Sequence, residues 1–467
     1  MPNIGTPENP LRVAIVGAGP SGFYAAEHIL KDGDVHALVD LFDRLPTPFG
    51  LVRGGVAPDH PKIKSVIRVY EKTAARDGFR FFGNVKIGQD IEVEELEGLY
   101  HAIVFTVGCE TDRALGISGE DLPGSHAATA FVGWYNAHPD YADEDFDLSA
   151  ERAVVIGNGN VAMDVARMLA LTDHELRETD TADHAISELD RKGVKEIVVL
   201  GRRGPVQAAF TNPEIKELGV MEDADVVVDP ADMELDPASK AFLESDEADK
   251  TTRVNVETLT EFSQRTPEGK KQRIVLRFLA SPVEIKGDGK VESIVIGKNE
   301  LVEEGGRLVA KDTGEREELE CGLVLRSVGY TGVPIEGVPF DEKRGLILND
   351  GGRVLDSHDS GHKVGHYTAG WIKRGPSGVI GTNKKDALET VQHLLADVAS
   401  RTLLDPADPD PEAIERLLAE KNVRYISFED WQAIDQAEVG RGEPHGRPRV
   451  KFVRVDEMLD TVGEQVG

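Results

Sequence analysis

LRVAIVGAGPSGFYAAEHILK, residues 11–31, runs from an apolar, β-branched segment through a glycine-rich turn into a helical pattern of apolar residues. Gly17, Gly19 and Gly22 form G-x-G-x-x-G in the strand–turn–helix context that this motif requires. The glycines allow a tight turn, close approach of a pyrophosphate to the backbone, and close packing of helix on strand. The next apolar segment ends at Asp43, about 21 residues after Gly22, where a carboxylate can accept hydrogen bonds from ribose hydroxyls. The stretch therefore predicts a dinucleotide-binding unit of the Rossmann type.

A second unit of the same kind begins at ERAVVIGNGNVAMDVARMLA, residues 151–170. Gly157, Gly159 and Ala162 form the G-x-G-x-x-A variant, which suits the same turn. A polar, partly helical insertion, residues 172–193, lengthens the connection to the next strand. A single short motif can be a turn without a ligand, but two motifs in strand–turn–helix context favour two nucleotide sites.

The partner strand of the second unit, EIVVLGRRGP at residues 196–205, ends in two arginines where the first unit has an acid. A carboxylate would repel a phosphate on the ribose 2′ position, whereas a guanidinium pairs with phosphate through two parallel hydrogen bonds. Arg202 and Arg203 are therefore predicted to bind the 2′-phosphate of NADP(H). Paired arginines at a strand end can also form a solvated edge, so this interpretation depends on the nucleotide unit that precedes them.

The composition indicates a multidomain globular protein of strongly acidic character. The chain has 467 residues, with 84 acidic residues against 53 lysines and arginines, and a net charge of -31. This balance argues against non-specific binding to nucleic acid or to anionic membranes. The two cysteines, Cys109 and Cys321, form neither a CxxC pair nor a zinc set. Because the sequence has no presequence pattern and no run of about 18 apolar residues, it predicts a cytoplasmic protein without a membrane span.

Two apolar strands followed by glycine, in residues 100–121 and 319–338, are interpreted as hinge strands through which an inserted domain leaves and rejoins its host. The predicted fold is α/β, with two Rossmann-like dinucleotide-binding domains, the second inserted in the first. A late helix with Asp410 as N-cap and Pro411 in its first turn begins a C-terminal appendage on the first domain. The predicted domains are 1–111 and 329–467, which form the first domain with its appendage, and 112–328, which forms the inserted domain.

Two further segments are suited to hold a flat ring beside the first dinucleotide site. Residues 44–66 are rich in proline and glycine, and a rigid loop of this kind can wrap a ring system. Residues 364–398 contain Trp371, a glycine-rich turn, and a helix predicted to begin near Thr382 or Asn383. The positive end of that helix would stabilise negative charge on the pyrimidine side of a reduced flavin. Taken alone, the loop could be a connector, the turn a helix cap and the tryptophan a core residue.

Four longer motifs carry a resemblance to a known family. They begin at residues 50, 156, 201 and 370, and read GLVRGGVAPDHPKIK, IGNGNVAMDVAR, GRRGPVQAAFTNPEIKEL and GWIKRGPSGVIGTNKKDA. Nearly the whole chain resembles the adrenodoxin reductase type of ferredoxin–NADP reductase, a group that includes bacterial NADPH-ferredoxin reductases. The resemblance implies a glutathione reductase-like arrangement, with FAD in the first domain and NADP(H) in the inserted one. It also implies a ferredoxin partner that can feed a cytochrome P450.

The resemblance also implies a set of site residues, with His60 and Glu214 near the flavin and the nicotinamide as candidate catalytic groups. A lone histidine is otherwise more often structural. The residues predicted for FAD, from the first glycine motif together with the resemblance, are Gly17, Gly19, Ser21, Gly22, Asp43, Leu51, Ile87, Trp371, Gly378, Val379 and Ile380. Those implied for NADP(H) are Gly157, Asn158, Gly159, Asn160, Val161, Arg202, Arg203, Glu214 and Gly378. Asp43 stands where many members carry Glu, so a looser or water-mediated ribose contact is expected, and no set of metal ligands is predicted.

Other functions stay open from the residues alone. The electron-input subunit of glutamate synthase shares the two-site layout, but it usually carries N-terminal cysteine clusters for iron–sulfur centres, which this sequence lacks. Thioredoxin or glutathione reductase activity needs a dithiol, and no CxxC pair occurs here. A non-catalytic dinucleotide sensor would bind nucleotide without oxidising it, so NADPH oxidation with ferricyanide separates a sensor from an enzyme.

An acidic ferredoxin would be repelled by a protein of net charge -31, so docking requires a local basic patch near the flavin. Two segments of the sequence offer candidates for such a patch. They are Arg53, Lys62, Lys64 and Arg68 in the first segment, and Lys373, Arg374, Lys384 and Lys385 in the second. Some of these side chains can instead contact cofactor phosphates or be solvated.

Overall fold

Strands and helices alternate along most of the chain, as the apolar segments and glycine-rich turns predict. The structure, a computed structural model, describes residues 4–463, and the predicted domain limits at 1 and 467 lie outside the described residues. No helix in this range is long and apolar enough to cross a membrane. The strands are β1 (Leu11–Val16), β2 (Ala37–Phe42), β3 (Phe79–Phe82), β4 (Ala102–Phe105), β5 (Thr111–Asp112), β6 (Ser125–Ala127), β7 (Arg152–Ile156), β8 (Glu196–Leu200), β9 (Ala224–Val228), β10 (Gln272–Arg277), β11 (Ala280–Lys286), β12 (Ser293–Glu304), β13 (Arg307–Glu320), β14 (Leu323–Arg326), β15 (Tyr330–Thr331), β16 (Phe340–Asp341), β17 (Leu346–Ile347), β18 (Asn349–Asp350), β19 (Arg353–Leu355) and β20 (His362–Thr368). The helices are α1 (Pro20–Leu30), α2 (Leu51–Gly54), α3 (Pro61–Lys64), α4 (Ile67–Ala74), α5 (Val93–Glu97), α6 (Ala128–Tyr135), α7 (Asn160–Ala170), α8 (Asp173–Arg177), α9 (Asp183–Asp190), α10 (Asn212–Leu218), α11 (Pro237–Glu244), α12 (Lys250–Gln264), α13 (Trp371–Arg374), α14 (Ile380–Ser400), α15 (Ala413–Glu420), α16 (Phe428–Gly442) and α17 (Val455–Thr461).

The first glycine-rich turn follows β1 in a seven-stranded sheet with the order β18-β19-β20-β4-β1-β2-β3. β1 pairs in parallel with both β2 and β4, and all six of its residues are buried. A parallel strand buried on both faces is a continuous apolar run in the sequence, as LRVAIV is. α1 and α14 pack against each other in the core beside β1. The turns that precede these two helices therefore meet at one end of the sheet.

The second glycine-rich turn follows β7 in a six-stranded sheet with the order β6-β14-β7-β8-β10-β9. β7 pairs in parallel with β8 and β14, which repeats the arrangement around β1. All six strands lie in the chain between β4 and β18, so the second unit is inserted in the first, and the predicted fold class is confirmed. A three-stranded antiparallel sheet, β11-β12-β13, extends the inserted unit. The sequence does not predict it, because β13 is almost entirely exposed and polar.

The connection between the two units lies within the two predicted segments, residues 100–121 and 319–338, but not at their apolar strands. The apolar strands of those two segments, β4 and β14, lie inside the two large sheets. The chain crosses instead at β5 and β15, whose antiparallel pairing joins Asp112 to Tyr330 and Thr111 to Thr331. An apolar strand is more stable in the interior of a parallel sheet than in an exposed link, which explains why β4 and β14 belong to the sheets and the short strands after them make the crossing.

The helix after the Trp371 turn begins earlier than predicted. It starts at Ile380, ahead of both Thr382 and Asn383. The Val379 N–H donates to the Thr382 hydroxyl at 3.2 Å. Thr382, one of the two predicted starts, therefore lies inside the helix and caps its first turn with its side chain.

The late helix begins later than predicted, at Ala413. Asp410 does accept a hydrogen bond, from the Glu412 N–H at 3.1 Å, but this bond closes a turn that precedes the helix. Pro411 therefore lies before the helix and not in its first turn.

The C-terminal segment contacts both units, which corrects its prediction as an appendage on the first domain alone. Trp431 of α16 is buried in the core that contains β1. Beyond α16, the Arg447 guanidinium donates to the Thr179 carbonyl, and the Lys451 ammonium lies 3.2 Å from the Asp180 carboxylate. Both partners belong to the inserted unit, so this segment ties the two units together.

Candidate functional site

The first glycine-rich turn has a backbone shape that a side chain would disrupt. Gly17 has a φ of 108°, and a Cβ atom there would lie 2.7 Å from the Thr106 carbonyl carbon. Gly19 precedes α1, and Ser21 and Gly22 are buried in the first turn of that helix. The positive end of α1 therefore follows the turn directly, where it attracts phosphate groups.

Asp43, the predicted ribose acid, follows β2 and contacts the same turn. Its carboxylate accepts hydrogen bonds from the Ala18 N–H at 2.8 Å and from the Leu45 N–H at 3.0 Å. Burial raises the pKa of Asp43 to about 6, although both hydrogen bonds oppose this rise. The acid is thus held against the backbone of the turn that would carry the pyrophosphate.

Two exposed apolar side chains, and one buried donor without a partner in residues 4–463, mark a place suited to a flat ring. Leu51 is 43% exposed and Val379 is 56% exposed, although both are large and apolar. The Trp371 Nε1 atom is buried without a hydrogen-bond partner in residues 4–463, and its ring packs 5.5 Å from the Tyr330 ring. Buried donors without partners are uncommon in native proteins. These observations fit a bound FAD, which would cover the apolar side chains and supply acceptors.

The remaining residues predicted for FAD divide between a turn and the core. Gly378 and Val379 precede α14, and Ile380 begins it, so the three lie together at a helix N-terminus. Ile87 is only 7% exposed and packs in the core with Phe42. The structure therefore brings the first three residues to the site, while the Ile87 side chain supports the sheet.

The second glycine-rich turn repeats the geometry of the first. Gly157 has a φ of 129°, and a Cβ atom there would lie 2.1 Å from the Ser327 carbonyl oxygen. The Asn160 Oδ1 accepts a hydrogen bond from the Thr211 N–H at 2.8 Å, which ties the start of α7 to the segment before α10. The predicted NADP(H) residues of this turn follow β7 consecutively and lead into α7; they are Gly157, Asn158, Gly159, Asn160 and Val161.

Arg202 and Arg203 follow β8, and hydrogen bonds to their carbonyl groups fix their backbones. The Asn299 side chain donates to the Arg202 carbonyl at 2.8 Å, and the Leu279 N–H donates to the Arg203 carbonyl at 3.0 Å. Neither guanidinium has a carboxylate within 4.0 Å in the described part of the chain. Partial burial and the neighbouring Arg202 charge lower the pKa of Arg203. Two adjacent unpaired cations would be stabilised by a dianionic phosphate.

His60 and Glu214, the two candidate catalytic groups, come from different units and meet at their interface. Both are buried. The His60 Nδ1 lies 3.9 Å from Glu214 Oε1 and 3.9 Å from Asp164 Oδ1. The His60 Nε2 lies 2.7 Å from Glu217 Oε2. The two nucleotide units therefore converge at this cluster.

Several carboxylates of the cluster share one guanidinium. Arg167 of α7 donates to Asp59, Asp164 and Glu214. Burial and the Asp164 charge raise the pKa of Glu214 to about 7, so its carboxyl group gains and loses a proton near neutral pH. Ligand atoms of His60, Asp164 and Glu214 lie within 4.8 Å of one another, a spacing that could suit a metal ion. Arg167, however, already donates to Asp164 Oδ1.

Comparisons with known proteins agree with this arrangement. A family model described as pyridine nucleotide-disulphide oxidoreductase matches residues 11–204. NADPH-ferredoxin reductase FprA of Mycobacterium leprae is 51% identical over 453 residues, which cover 96% of this chain and 97% of that protein. Mitochondrial NADPH:adrenodoxin oxidoreductase of Homo sapiens is 41% identical over 476 residues, covering 98% and 93%. The chain belongs to the adrenodoxin reductase-type family of ferredoxin–NADP reductases.

A solved structure agrees with this membership in the ferredoxin–NADP reductase family. Mycobacterium tuberculosis FprA in complex with NADPH superposes with a TM-score of 0.91 and 49% identity, covering 97% of this chain and 100% of that one. The predicted family and fold class are confirmed, and so is the prediction that the protein is an oxidoreductase.

The site also contains three acids, one arginine and one tyrosine that were not predicted from the sequence. They are Asp59, Asp164, Arg167 and Glu217, together with Tyr330 beside Trp371. Asp164 and Arg167 lie three residues apart in an otherwise apolar helical run, and polar residues at that spacing within a buried face are an available signal. The contact of Arg167 with Asp59 has no such signal, because 108 residues separate the two.

Most residues of the predicted basic patch are already paired. Arg53 binds Glu438, Lys64 binds Asp180, Lys373 binds Asp386, Arg374 bonds Asn383, and Lys384 lies 3.8 Å from Glu27. Lys62, Arg68 and Lys385 are exposed and have no carboxylate within 4.0 Å in residues 4–463. The eight residues therefore do not form one free basic patch, since several stabilise the interior.

Proposed function

We propose that this ferredoxin–NADP reductase passes electrons from NADPH through FAD to an acidic ferredoxin. The observation that carries the proposal is the meeting of His60 and Glu214, one from each unit, which brings two nucleotide sites to a common centre. FAD supplies the conversion of a two-electron hydride from NADPH into single electrons for an iron–sulfur acceptor. The chain contributes binding, alignment and electrostatics.

The first unit holds FAD through its turn, its acid and the Trp371 segment. Gly17, Gly19, Ser21 and Gly22 receive the pyrophosphate at the N-terminus of α1, and Asp43 accepts hydrogen bonds from the ribose. Leu51 and Trp371 would contact the ring, and the start of α14 at Gly378–Ile380 would stabilise negative charge on its pyrimidine side.

The inserted unit holds NADP(H) with its turn on the pyrophosphate and Arg202 and Arg203 on the 2′-phosphate. Gly378, directly before Val379 and the start of α14, would contact both the nicotinamide and the flavin. His60 and Glu214 position the nicotinamide, and Glu214 can hold or release a proton because its pKa is about 7. Hydride transfer itself needs no protein acid, so these side chains act by alignment and charge.

The proposed domain limits are 1–111 and 329–467 for the FAD domain and 112–328 for the NADP(H) domain. The pairing of β5 with β15 supports these limits, because its two strands lie at the points where the chain passes between the sheets. A cytoplasmic location is proposed as well, supported by the two cysteines, which are both free and buried.

The proposed partner is a ferredoxin that feeds a cytochrome P450. Family relatives bear the names NADPH-ferredoxin reductase and NADPH:adrenodoxin oxidoreductase, which supports an iron–sulfur acceptor. Reconstitution of the reductase with ferredoxins and cytochromes P450 of the source organism tests this chain of transfer. Substrate oxidation that requires all three proteins supports it, and ferredoxin reduction without any P450 turnover contradicts the second step.

NADPH oxidation with two acceptors tests the proposed function against its alternatives. Ferricyanide should be reduced by electrons from the flavin alone, and ferredoxin should be reduced with NADPH as donor. A dinucleotide sensor would support neither reaction. A glutamate synthase-like subunit would reduce ferricyanide but not ferredoxin, so the pair of acceptors separates the three functions.

Asp43→Ala should weaken FAD retention by about 1.5–3 kcal/mol, because charge-assisted hydrogen bonds to the ribose are lost. The dissociation constant of FAD, measured by flavin fluorescence during dilution, should rise about 10- to 150-fold. Asp43→Glu is the matched control, because it restores an acid and should recover most of the affinity. Equal retention in Asp43→Ala and in the unaltered protein would mean that Asp43 does not bind the ribose.

Charge reversal at Lys62 or Arg68 should raise the KM for ferredoxin about 3- to 10-fold and leave the KM for NADPH nearly unchanged. Both side chains are exposed and unpaired within the described residues, so their charge can attract an acidic partner. Ferredoxin reduction should also fall as salt rises, while ferricyanide reduction should not. Lys311→Glu on β13 controls for net charge. Insensitivity to salt and to both reversals would mean that ferredoxin docks on another surface, and the NADP(H) domain would then be tested next.

A further inference from the structure

Arg167 is the centre of a set of contacts that join the two nucleotide units. It extends from α7 of the inserted unit, and its side chain is only 3% exposed. Its Nε and Nη2 both donate to the carboxylate of Asp59, which lies in the loop of the first unit before α3. Its Nη2 also donates to Asp164 at 2.6 Å, and its Nη1 donates to Glu214 at 3.2 Å. One planar guanidinium thus holds acids from three different segments.

The pairing of Arg167 with Asp59 also fixes the neighbouring histidine. Asp59 directly precedes His60, whose ring lies between Asp164, Glu214 and Glu217. Two parallel hydrogen bonds between a guanidinium and a carboxylate restrict angle as well as distance. A change at Arg167 would therefore displace His60 relative to the acids of the inserted unit.

We propose that Arg167 is a positioning residue for hydride transfer, because its guanidinium holds the Asp59–His60 loop of the first unit in register with Asp164 and Glu214 of the second. It acts through these side chains and does not touch the reacting atoms. The inference rests on the proposed transfer from NADPH to FAD, since the register matters to the rate only if the two nucleotides react across this interface.

The charges around Glu214 make the role of Arg167 measurable. Glu214 is faced by Asp164 and Arg167 from α7, by His60 from the loop before α3, and by Glu217 from its own helix. Burial and the neighbouring acids raise the pKa of Glu214, while the Arg167 charge lowers it. Removal of the Arg167 charge should raise this pKa further. Removal of the Asp59 charge should lower it, because Arg167 is then less neutralised.

Three variants separate charge from geometry. Arg167→Met removes the charge and the planar fork, Arg167→Lys keeps the charge without the fork, and Asp59→Asn breaks the bidentate pair while leaving the guanidinium. Arg447→Met is the matched control, because the Arg447 side chain is only 7% exposed and also joins segments of the two units, through Asp183. For each holoprotein the readouts are FAD content, the rate of anaerobic flavin reduction by NADPH across pH, and the ring signals of His60 by selective nitrogen-15 NMR.

Arg167→Met should slow flavin reduction about 10- to 100-fold at saturating NADPH, because a displaced nicotinamide contact costs alignment. The pH midpoint of the rate should move upward by about one unit in this variant and downward in Asp59→Asn. Arg167→Lys should keep the midpoint near that of the unaltered protein but recover the rate only in part. The His60 signals should shift in Arg167→Met and in Asp59→Asn, and not in Arg447→Met.

An unaltered rate and pH midpoint in folded Arg167→Met would overturn the inference, and so would full recovery of the rate by Arg167→Lys. If Arg167→Met fails to fold, Arg167→Lys and Asp59→Asn decide the question, since normal rates and unshifted His60 signals in both would overturn it. If NADPH does not reduce the flavin of the unaltered protein, the proposed function is wrong. In that case, the His60 signals still test whether Arg167 sets the position of the loop.

Discussion

NADPH turnover by an Arg202→Ala/Arg203→Ala double variant is expected to fall on the order of 100-fold or more in kcat/KM, while NADH turnover changes little. Each arginine should lose a charge-assisted contact with the 2′-phosphate worth about 1.5–3 kcal/mol. The structure supports this expectation because both guanidiniums lack a carboxylate partner in residues 4–463, whereas most other arginines near the site are paired. Steady-state ferricyanide reduction with each nucleotide measures the effect.

An Arg191→Ala/Arg307→Ala double variant is the matched control. These two arginines are exposed in the same inserted unit and likewise have no carboxylate within 4.0 Å in the described range, so the net charge changes equally. Their loss should alter kcat/KM for NADPH less than about 3-fold. If the Arg202/Arg203 variant lost NADPH and NADH turnover to the same degree, the arginines would stabilise the fold and would not bind the 2′-phosphate.

Glu438→Ala is expected to lower the free energy of unfolding by about 3–5 kcal/mol, because it leaves Arg53, whose side chain is only 10% exposed, without its counter-charge. Glu438 is fully buried and accepts hydrogen bonds from Arg53, from Arg449 and from the Phe452 N–H. Burial alone would raise the pKa of Glu438, but the charge and hydrogen bonds of Arg53 hold it below its ordinary value. Denaturant unfolding at fixed, saturating FAD measures the loss.

The pH dependence gives this prediction a second test. A carboxyl group whose pKa is lower in the folded state stabilises the fold above its unfolded pKa, and this contribution is lost as pH falls through the folded value. The difference in the free energy of unfolding between Glu438→Ala and the unaltered protein should therefore be largest at neutral pH and should decrease below about pH 4.5. Gln432→Ala, on the exposed face of the same helix, should change stability by less than about 0.5 kcal/mol. A loss below about 1 kcal/mol in Glu438→Ala would contradict the account.

Local sequence signals predict the parts of the site that lie within single strand–turn–helix units. The two glycine-rich turns, Asp43 after β2, and Arg202 and Arg203 after β8 all occupy positions that follow from chain direction in a parallel sheet. The turn conformations at Gly17 and Gly157 follow from the same motif, since each needs a positive φ that only glycine adopts readily.

Contacts between distant segments could not be predicted, because nothing in one segment specifies the other. The Asp59–Arg167 pair spans 108 residues, and the Lys451–Asn136 hydrogen bond spans 315. Arg53 and Lys64 form buried ion pairs and do not belong to a docking surface. The sequence alone does not distinguish the two roles, because the same basic residue types occur in both. Burial decides between these roles, and burial depends on how the C-terminal segment packs across the two units.

NADPH electrons are expected to cross from the inserted unit to a flavin in the first unit and to leave singly to a ferredoxin, and the proposed function depends on this transfer. Anaerobic stopped-flow mixing of the purified protein with NADPH and ferredoxin of the source organism tests it most directly, because flavin and iron–sulfur absorbance report each step. We expect a yellow protein whose flavin is bleached by NADPH before the ferredoxin is reduced. A colourless protein that takes up no FAD, or a flavin that NADPH reduces while every ferredoxin stays oxidised, would contradict it.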